Sequence, residues 1–264
     1  MYQHIELYTK PGEILKKTSE QYCEMTEAEH GFLCGMIRSF VPQKAVEIGV
    51  AGGGTTAVIM QCLNEVNPDA KMYSGDINQE CYRRKGKPTG YQLEELKEYL
   101  PNYKNHTFYL GSVLPQYIER IGNDIDFAIL DTTHAMPGEI LDFLCLLPYL
   151  KEKAVVVLHD TALNLTRSEK SFATKILLDT VTGEKYYNYK ERILNIAAFR
   201  AVKETFAHAA DVFSALSVSW AYLPPLSELL LYRDWYKKFY DAECLELFDI
   251  FLEAQYNRIL QQKK

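Results

Sequence analysis

The sequence has no apolar run near the roughly 20 residues needed to cross a bilayer. Its richest stretches, Leu141 to Leu150 and Ala154 to Leu158, are broken by Asp142, Pro148 and Lys151. The N-terminus, Met1 to Lys17, mixes Glu, Lys and Tyr without an apolar segment, so no secretory leader is expected. No C-x-x-C pair occurs among the six cysteines (Cys23, Cys34, Cys62, Cys81, Cys145 and Cys244). That scatter reads as reduced thiols of a cytoplasmic protein rather than a zinc site or a disulfide framework. Positive charge is also in short supply, with a formal net charge of −6, which argues against a duplex nucleic-acid binder. Neither nucleic acid nor membrane is expected as a partner, and there is no repeat or low-complexity tract.

What is present is a chain of 264 residues, 47% hydrophobic, long enough to hold a sizeable core without staples. The first 25 residues are irregular, with a turn at Pro11-Gly12. Thr26 followed by Glu29 has capping-box spacing, and Phe32, Leu33, Met36, Ile37 and Phe40 then share one helical face, ended by Pro42. From there the pattern alternates. Strands are expected at 45–50, 71–75, 106–110, 126–130 and 154–158, with helices at 55–66, capped by Thr55 or Thr56, and at 91–100, 113–121 and 137–150. Short Val- and Ile-rich strands separated by helices indicate right-handed βαβ units and a parallel sheet covered on both faces. Beyond 161 the rhythm changes. Ile193 to Val202 and Val212 to Leu223 read as an antiparallel hairpin, followed by helical stretches from Leu226 to Lys263. Sixteen of the 33 aromatic residues (19 Tyr, 12 Phe and 2 Trp) lie from Tyr186 to Tyr256, suited to a C-terminal helical layer, a dimer interface or the wall of a substrate pocket.

Ligands of parallel sheets bind outside the carboxyl ends of the strands, and here those ends carry glycines and acids. The first is Glu47-Ile48-Gly49-Val50-Ala51-Gly52-Gly53-Gly54-Thr55, a glycine loop opening a helix, with Ala51 where a strict dinucleotide fingerprint needs glycine. Asp76 closes the next strand, where a carboxylate can accept both hydroxyls of a ribose. Gly111-Ser112 closes the third, small enough for an adenine ring to pass. Asp131 and Asp160 close neighbouring strands, and with His159 they form an Mg²⁺ or Mn²⁺ site able to lower the pKa of a substrate hydroxyl. His134, three residues past Asp131, suits a general base. The run Cys81 to Pro88 holds four cations and no acid, which reads as a solvated loop or as a lid drawing in an anionic acceptor.

Three motifs in order, Glu47-Ile48-Gly49 through Gly53-Gly54-Thr55, Asp131-Thr132-Thr133-His134 and His159-Asp160, resemble those of class I S-adenosylmethionine-dependent methyltransferases. The similarity is to the branch of catechol-type and macrolide-sugar O-methyltransferases. It implies an α/β, Rossmann-like, doubly wound and mostly parallel seven-stranded sheet with a C-terminal antiparallel hairpin and added helices. It implies further that Glu47, Gly49, Ala51, Gly53 and Thr55 surround the methionine part of the cofactor, that Asp76 holds the ribose, and that Ile77, Gly111 and Ser112 line the adenine. Thr132 departs from the pattern, since the family usually has glycine there. The expected organisation is an N-terminal helical extension (1–40), a cofactor domain (41–223) and a C-terminal helical extension (224–264). The expected activity is metal-assisted O-methylation of a hydroxyl on a small molecule or sugar by a homo-oligomer. An NAD(P)-dependent oxidoreductase and a non-catalytic cofactor-binding module are the alternatives.

Overall fold

The computed structural model describes residues 3–8, 10, 12–167 and 169–262, so Pro11 and Lys263 of the expected elements lie outside the described residues. The strands are β1 (Gln3–His4), β2 (Lys44–Ile48), β3 (Lys71–Asp76), β4 (His106–Leu110), β5 (Ile125–Leu130), β6 (Leu150–His159), β7 (Glu184–Tyr187) and β8 (Ile196–Arg200). The helices are α1 (Glu27–Phe40), α2 (Gly54–Val66), α3 (Tyr91–Leu96), α4 (Ile118–Ile121), α5 (Gly138–Leu146), α6 (Leu163–Thr166), α7 (Ala173–Thr180), α8 (Lys203–Ala207), α9 (Ala209–Ser214), α10 (Leu226–Tyr236) and α11 (Ala242–Gln262). One sheet runs in the order β1-β7-β8-β6-β5-β2-β3-β4. From β6 to β4 neighbouring strands are parallel, while β8 is antiparallel to both β6 and β7.

Alternation along the strands feeds two cores. Phe127, Ile129, Val155 and Val157 face the layer holding α1, α2 and α3. Ala128, Leu130, Val156 and Leu158 face the opposite layer, with α5, α7, α9, α10 and α11. The capping box forms as expected, with the Glu29 amide donating to Thr26 Oγ1 and the Thr26 amide donating to a Glu29 carboxylate oxygen. The helix ends at Phe40, ahead of a left-handed Val41 and Pro42.

The C-terminal aromatics clamp α5. Tyr236 donates to Leu141 O, Tyr240 to Leu144 O and Trp235 Nε1 to Cys145 O, so polar edges of buried rings serve carbonyls in and near the helix's last turn. Among the described residues no helix is long and apolar enough to cross a membrane.

Three expectations are corrected. The sheet has eight strands rather than seven, because Gln3–His4 adds an edge strand beside β7. The antiparallel hairpin joins β7 to β8, and 212–223 forms no strand: Val212, Phe213 and Leu216 fall on one face of α9 and the 3-10 turn after it, buried together. Polar residues at 214, 217 and 219 between apolar ones imitate a period of two over that stretch. Finally, Cys34 on α1 and Cys62 on α2 form a disulfide with Cα atoms 5.9 Å apart, while Cys23, Cys81, Cys145 and Cys244 are free. Two helices packed face to face bring these sulfurs together, which no local motif records.

Closing a loop of about 28 residues stabilises a chain by about 3 to 4 kcal/mol on the chain-entropy account. Unreduced, denatured protein should therefore titrate four thiols with a thiol reagent, and reduction should lower the thermal midpoint. Six titratable thiols would contradict the pairing.

Candidate active site

The parallel ladder continues past the strand ends and carries the loops. The Gly49 amide donates to Gly75 O, the Asp131 amide to Ile48 O and the Gly111 amide to Asp76 O. Gly49 sits at φ 97°, and a Cβ there would lie 1.8 Å from the Asp131 carbonyl oxygen, so only glycine lets the loops after β2 and β5 lie against each other. Gly53, at φ 84°, caps α2 in place of Thr55 or Thr56. Ala51, His134 and Asp160 also have positive φ, a concentration of backbone strain at one place.

One cleft lies outside these ends. Gly49, Ala51, Thr55, Asp76, Ile77, Ser112, Asp131 and His134 line it. Asp76 Oδ2 accepts from the amides of Val50 and Ala51, and Oδ1 accepts from that of Asn78, which fixes the carboxylate at the rim. Ile77 beside it is 52% exposed, an apolar face offered to the cleft. Glu47 lies beneath the loop, fully buried, accepting from Thr56 Oγ1 at 2.8 Å; burial pushes its carboxyl up to about 8. Gly53 and Gly111 shape the turns without lining the cleft. Residues outside the expected set complete the walls: Tyr22 and Cys23 before α1, Asp142 on α5, and Tyr222 and Tyr232 from the C-terminal layer. Only the aromatic excess hinted at the last two.

At one end of the cleft is a charged cluster. Asp131, His134 and Asp160 offer ligand atoms within 4.8 Å of one another. His134 Nε2 lies 3.2 Å from Asp160 Oδ2 and 3.8 Å from Asp131 Oδ1, and its Nδ1 faces Glu139 Oε1 at 3.5 Å. His159, expected among the ligands, turns its Nδ1 toward both carboxylates of this triad, 3.6 Å from Asp160 Oδ2. Its Nδ1 donates to Asp131 Oδ1 at 2.9 Å, and its Nε2 faces Glu29 Oε1 at 3.5 Å. Asp160, at φ 59°, thus has both imidazoles near one carboxylate oxygen, His134 at 3.2 Å and His159 at 3.6 Å.

Burial works against a charged His159, yet the Asp131 carboxylate, with Glu29 and Asp160, outweighs it and holds its pKa well above the usual value. Burial likewise pushes Asp131 up, and the His159 charge and hydrogen bond bring it below the ordinary carboxylate range. Glu29 serves two structures at once. One oxygen closes the capping box, and the other accepts from Asn195 Nδ2, which also donates to Asp160. The capping-box spacing revealed the first use of Glu29 and gave no sign of the second.

Burial alone would raise Glu29, but His159 and these donors hold its pKa at about 2, below the ordinary 4.5. A depressed carboxyl stabilises the fold above its unfolded pKa, and that contribution is lost as pH falls from about 4.5 toward 2. Glu29→Gln, which keeps the capping box, should lower stability at neutral pH and flatten the acid limb. Urea unfolding from pH 6 to 2 measures this: the gap between wild type and variant should narrow as pH falls, and parallel curves would contradict it.

Residues 46–161 match the family described as "Methyltransferase domain". TomG from Streptomyces achromogenes, an O-methyltransferase involved in tomaymycin synthesis and solved in complex with SAM, is 14% identical with a TM-score of 0.50, over 75% of this chain and 92% of that one. An O-methyltransferase from Bacillus cereus solved with SAH is 13% identical with a TM-score of 0.51, over 73% of this chain and 91% of that one. No curated protein matches this sequence. Residues 46 to 161 thus match a methyltransferase family, and the chain shares its fold with these two O-methyltransferases.

Proposed function

We propose that this protein transfers the methyl group of S-adenosylmethionine to a hydroxyl oxygen of a small-molecule or sugar acceptor, assisted by Mg²⁺ or Mn²⁺. The observation that carries the reading is the convergence of Asp131, His134 and Asp160 at the end of the cleft that also holds the glycine loop and Asp76. When bound, S-adenosylmethionine supplies a methyl group activated on a sulfonium, and the cation supplies positive charge that lowers the pKa of an acceptor hydroxyl. The acceptor hydroxyl held there would take the methyl on its oxygen and release its proton to solvent water, and the donor would leave as the neutral thioether S-adenosylhomocysteine.

The residues fit both groups. Asp76 would take the ribose hydroxyls, and Ile77 and Ser112 would flank the purine. Gly49, Ala51 and Thr55 would surround the methionine part, with Glu47, Gly53 and Gly111 supporting the loops. Two carboxylates and an imidazole are a donor set for Mg²⁺ or Mn²⁺, the histidine favouring Mn²⁺. His134 serves as a donor rather than as the base in this reading, since its Nε2 faces the two carboxylates. Glu139 behind it and His159 behind Asp131 orient the donors, as outer partners of metal ligands do. Holding the acceptor oxygen in line with the methyl group supplies about 7 to 11 kcal/mol of the barrier reduction.

Residues 1–40 and 224–264 are proposed as extensions that wall the cleft, through Tyr22 and Cys23 on one side and Glu228 and Tyr232 on the other. Self-association through the last two helices is supported by Leu226, Leu230 and Ile250, each about half exposed.

Calorimetric titration tests the cofactor. S-adenosylhomocysteine should bind and NAD should not, and Asp76→Asn should weaken binding by about 10- to 100-fold, the worth of hydrogen bonds to a charged group. Binding of NAD with no response to S-adenosylhomocysteine would favour the oxidoreductase. Methyl transfer should stop on chelation and return with Mg²⁺ or Mn²⁺; activity that survives exhaustive chelation would return deprotonation to His134.

A further inference from the structure

A second cavity adjoins the charged cluster. Asp160 and His159 line it, as do Glu29, Asn195 and Asn188, and Glu24 borders both this cavity and the cofactor cleft. The cluster stands between the two spaces, with Asp131 and His134 lining the first and Asp160 and His159 the second. Asn188 is fully buried. Its Oδ1 accepts from the Lys190 amide at 3.3 Å, which fixes the orientation of the side-chain amide, and its Nδ2 has no hydrogen-bond partner. His159 Nε2 is taken by Glu29, 3.5 Å away, so Asn188 is the unmet donor of this lining. A buried donor left unmet costs about 1 to 3 kcal/mol, so such groups ordinarily answer to something.

We propose that this cavity is the acceptor chamber, and that it takes a neutral, hydroxyl-rich molecule one of whose oxygens meets the Asn188 amide while another reaches the cluster. The inference rests on the methyl-transfer reading above and adds where the acceptor binds and what it carries. Charge disfavours an anionic ligand. Glu29, Asp160 and Glu191 line the cavity against Arg167 and His159, and Glu24 there pairs with Arg83. Three of the four cations of the basic run are engaged, Arg83 with Glu24, Arg84 with Glu20 and Lys87 with Glu95. A hydroxyl suits this lining because it both donates to carboxylates and accepts from amides.

Saturation-transfer NMR on protein loaded with S-adenosylhomocysteine tests the proposal, with methyl α-D-glucopyranoside as the neutral probe and glucose 6-phosphate as the anionic one. The glucoside should bind and the phosphate should bind more weakly. Asn188→Leu and the near-isosteric Asn188→Asp should each weaken the glucoside by at least about fivefold, the loss of one hydrogen bond, with S-adenosylhomocysteine affinity unchanged. The proposal fails if the glucoside does not bind, if both variants bind it as wild type does, or if the phosphate binds more tightly. Loss of the methyl-transfer reading would look different, as failure of S-adenosylhomocysteine itself to bind.

Discussion

The pairing of Asp131 with His159 is the contact on which the rest of the site depends. Asp131 extends the ladder from β5 to β2 through its amide, lies with its carbonyl against Gly49, and accepts from His159 at the end of β6. Three strand ends and the glycine loop are thus tied at one residue. Through His159 the tie reaches Glu29 on α1, and through Asn195 it reaches Asp160. Desolvated charges are tolerated only when compensated. Three carboxylates around His159 leave a surplus of negative charge beside His134, which is the physical reason a divalent cation suits this corner.

The layers around the sheet convert that corner into a site. On one face α1 and α2 pack together, linked by Cys34–Cys62, and carry Glu29 and the end of the glycine loop. On the other, the aromatic C-terminal helices grip α5, setting Asp142 and Tyr232 in the cleft wall, where Tyr232 donates to Asp142. Burial raises Asp142 to about 7, so this wall can present a neutral carboxyl near physiological pH. Residues 46 to 161 supply the strand ends, and Tyr22, Cys23, Tyr222 and Tyr232 from the flanking segments add to the wall.

Much of this was legible in the sequence, and what was not follows a physical pattern. The five parallel strands read correctly because short apolar runs, buried on both faces in β2, β5 and β6, and strand-end acids are local signals, and so did the Thr26–Glu29 cap. The triad was half legible. Asp131 and Asp160 stand at strand ends, but how His134 and His159 are set around them turns on left-handed backbone at His134 and Asp160 that sequence spacing does not encode. Glu29, Asn195 and Asn188 carried no sign of their place around the site, since their partners there are set by how distant segments fold together. The β7–β8 hairpin was displaced because Val212 to Leu223 alternates like a strand while its buried residues answer to α5 and α11.

The most direct test is a crystal structure grown with S-adenosylhomocysteine and Mn²⁺ and measured at the manganese edge. The account expects a single strong anomalous peak held by Asp131, His134 and Asp160, with S-adenosylhomocysteine in the adjoining cleft and its ribose on Asp76. Manganese bound elsewhere, or the cofactor absent from that cleft while the triad stays empty, would contradict it.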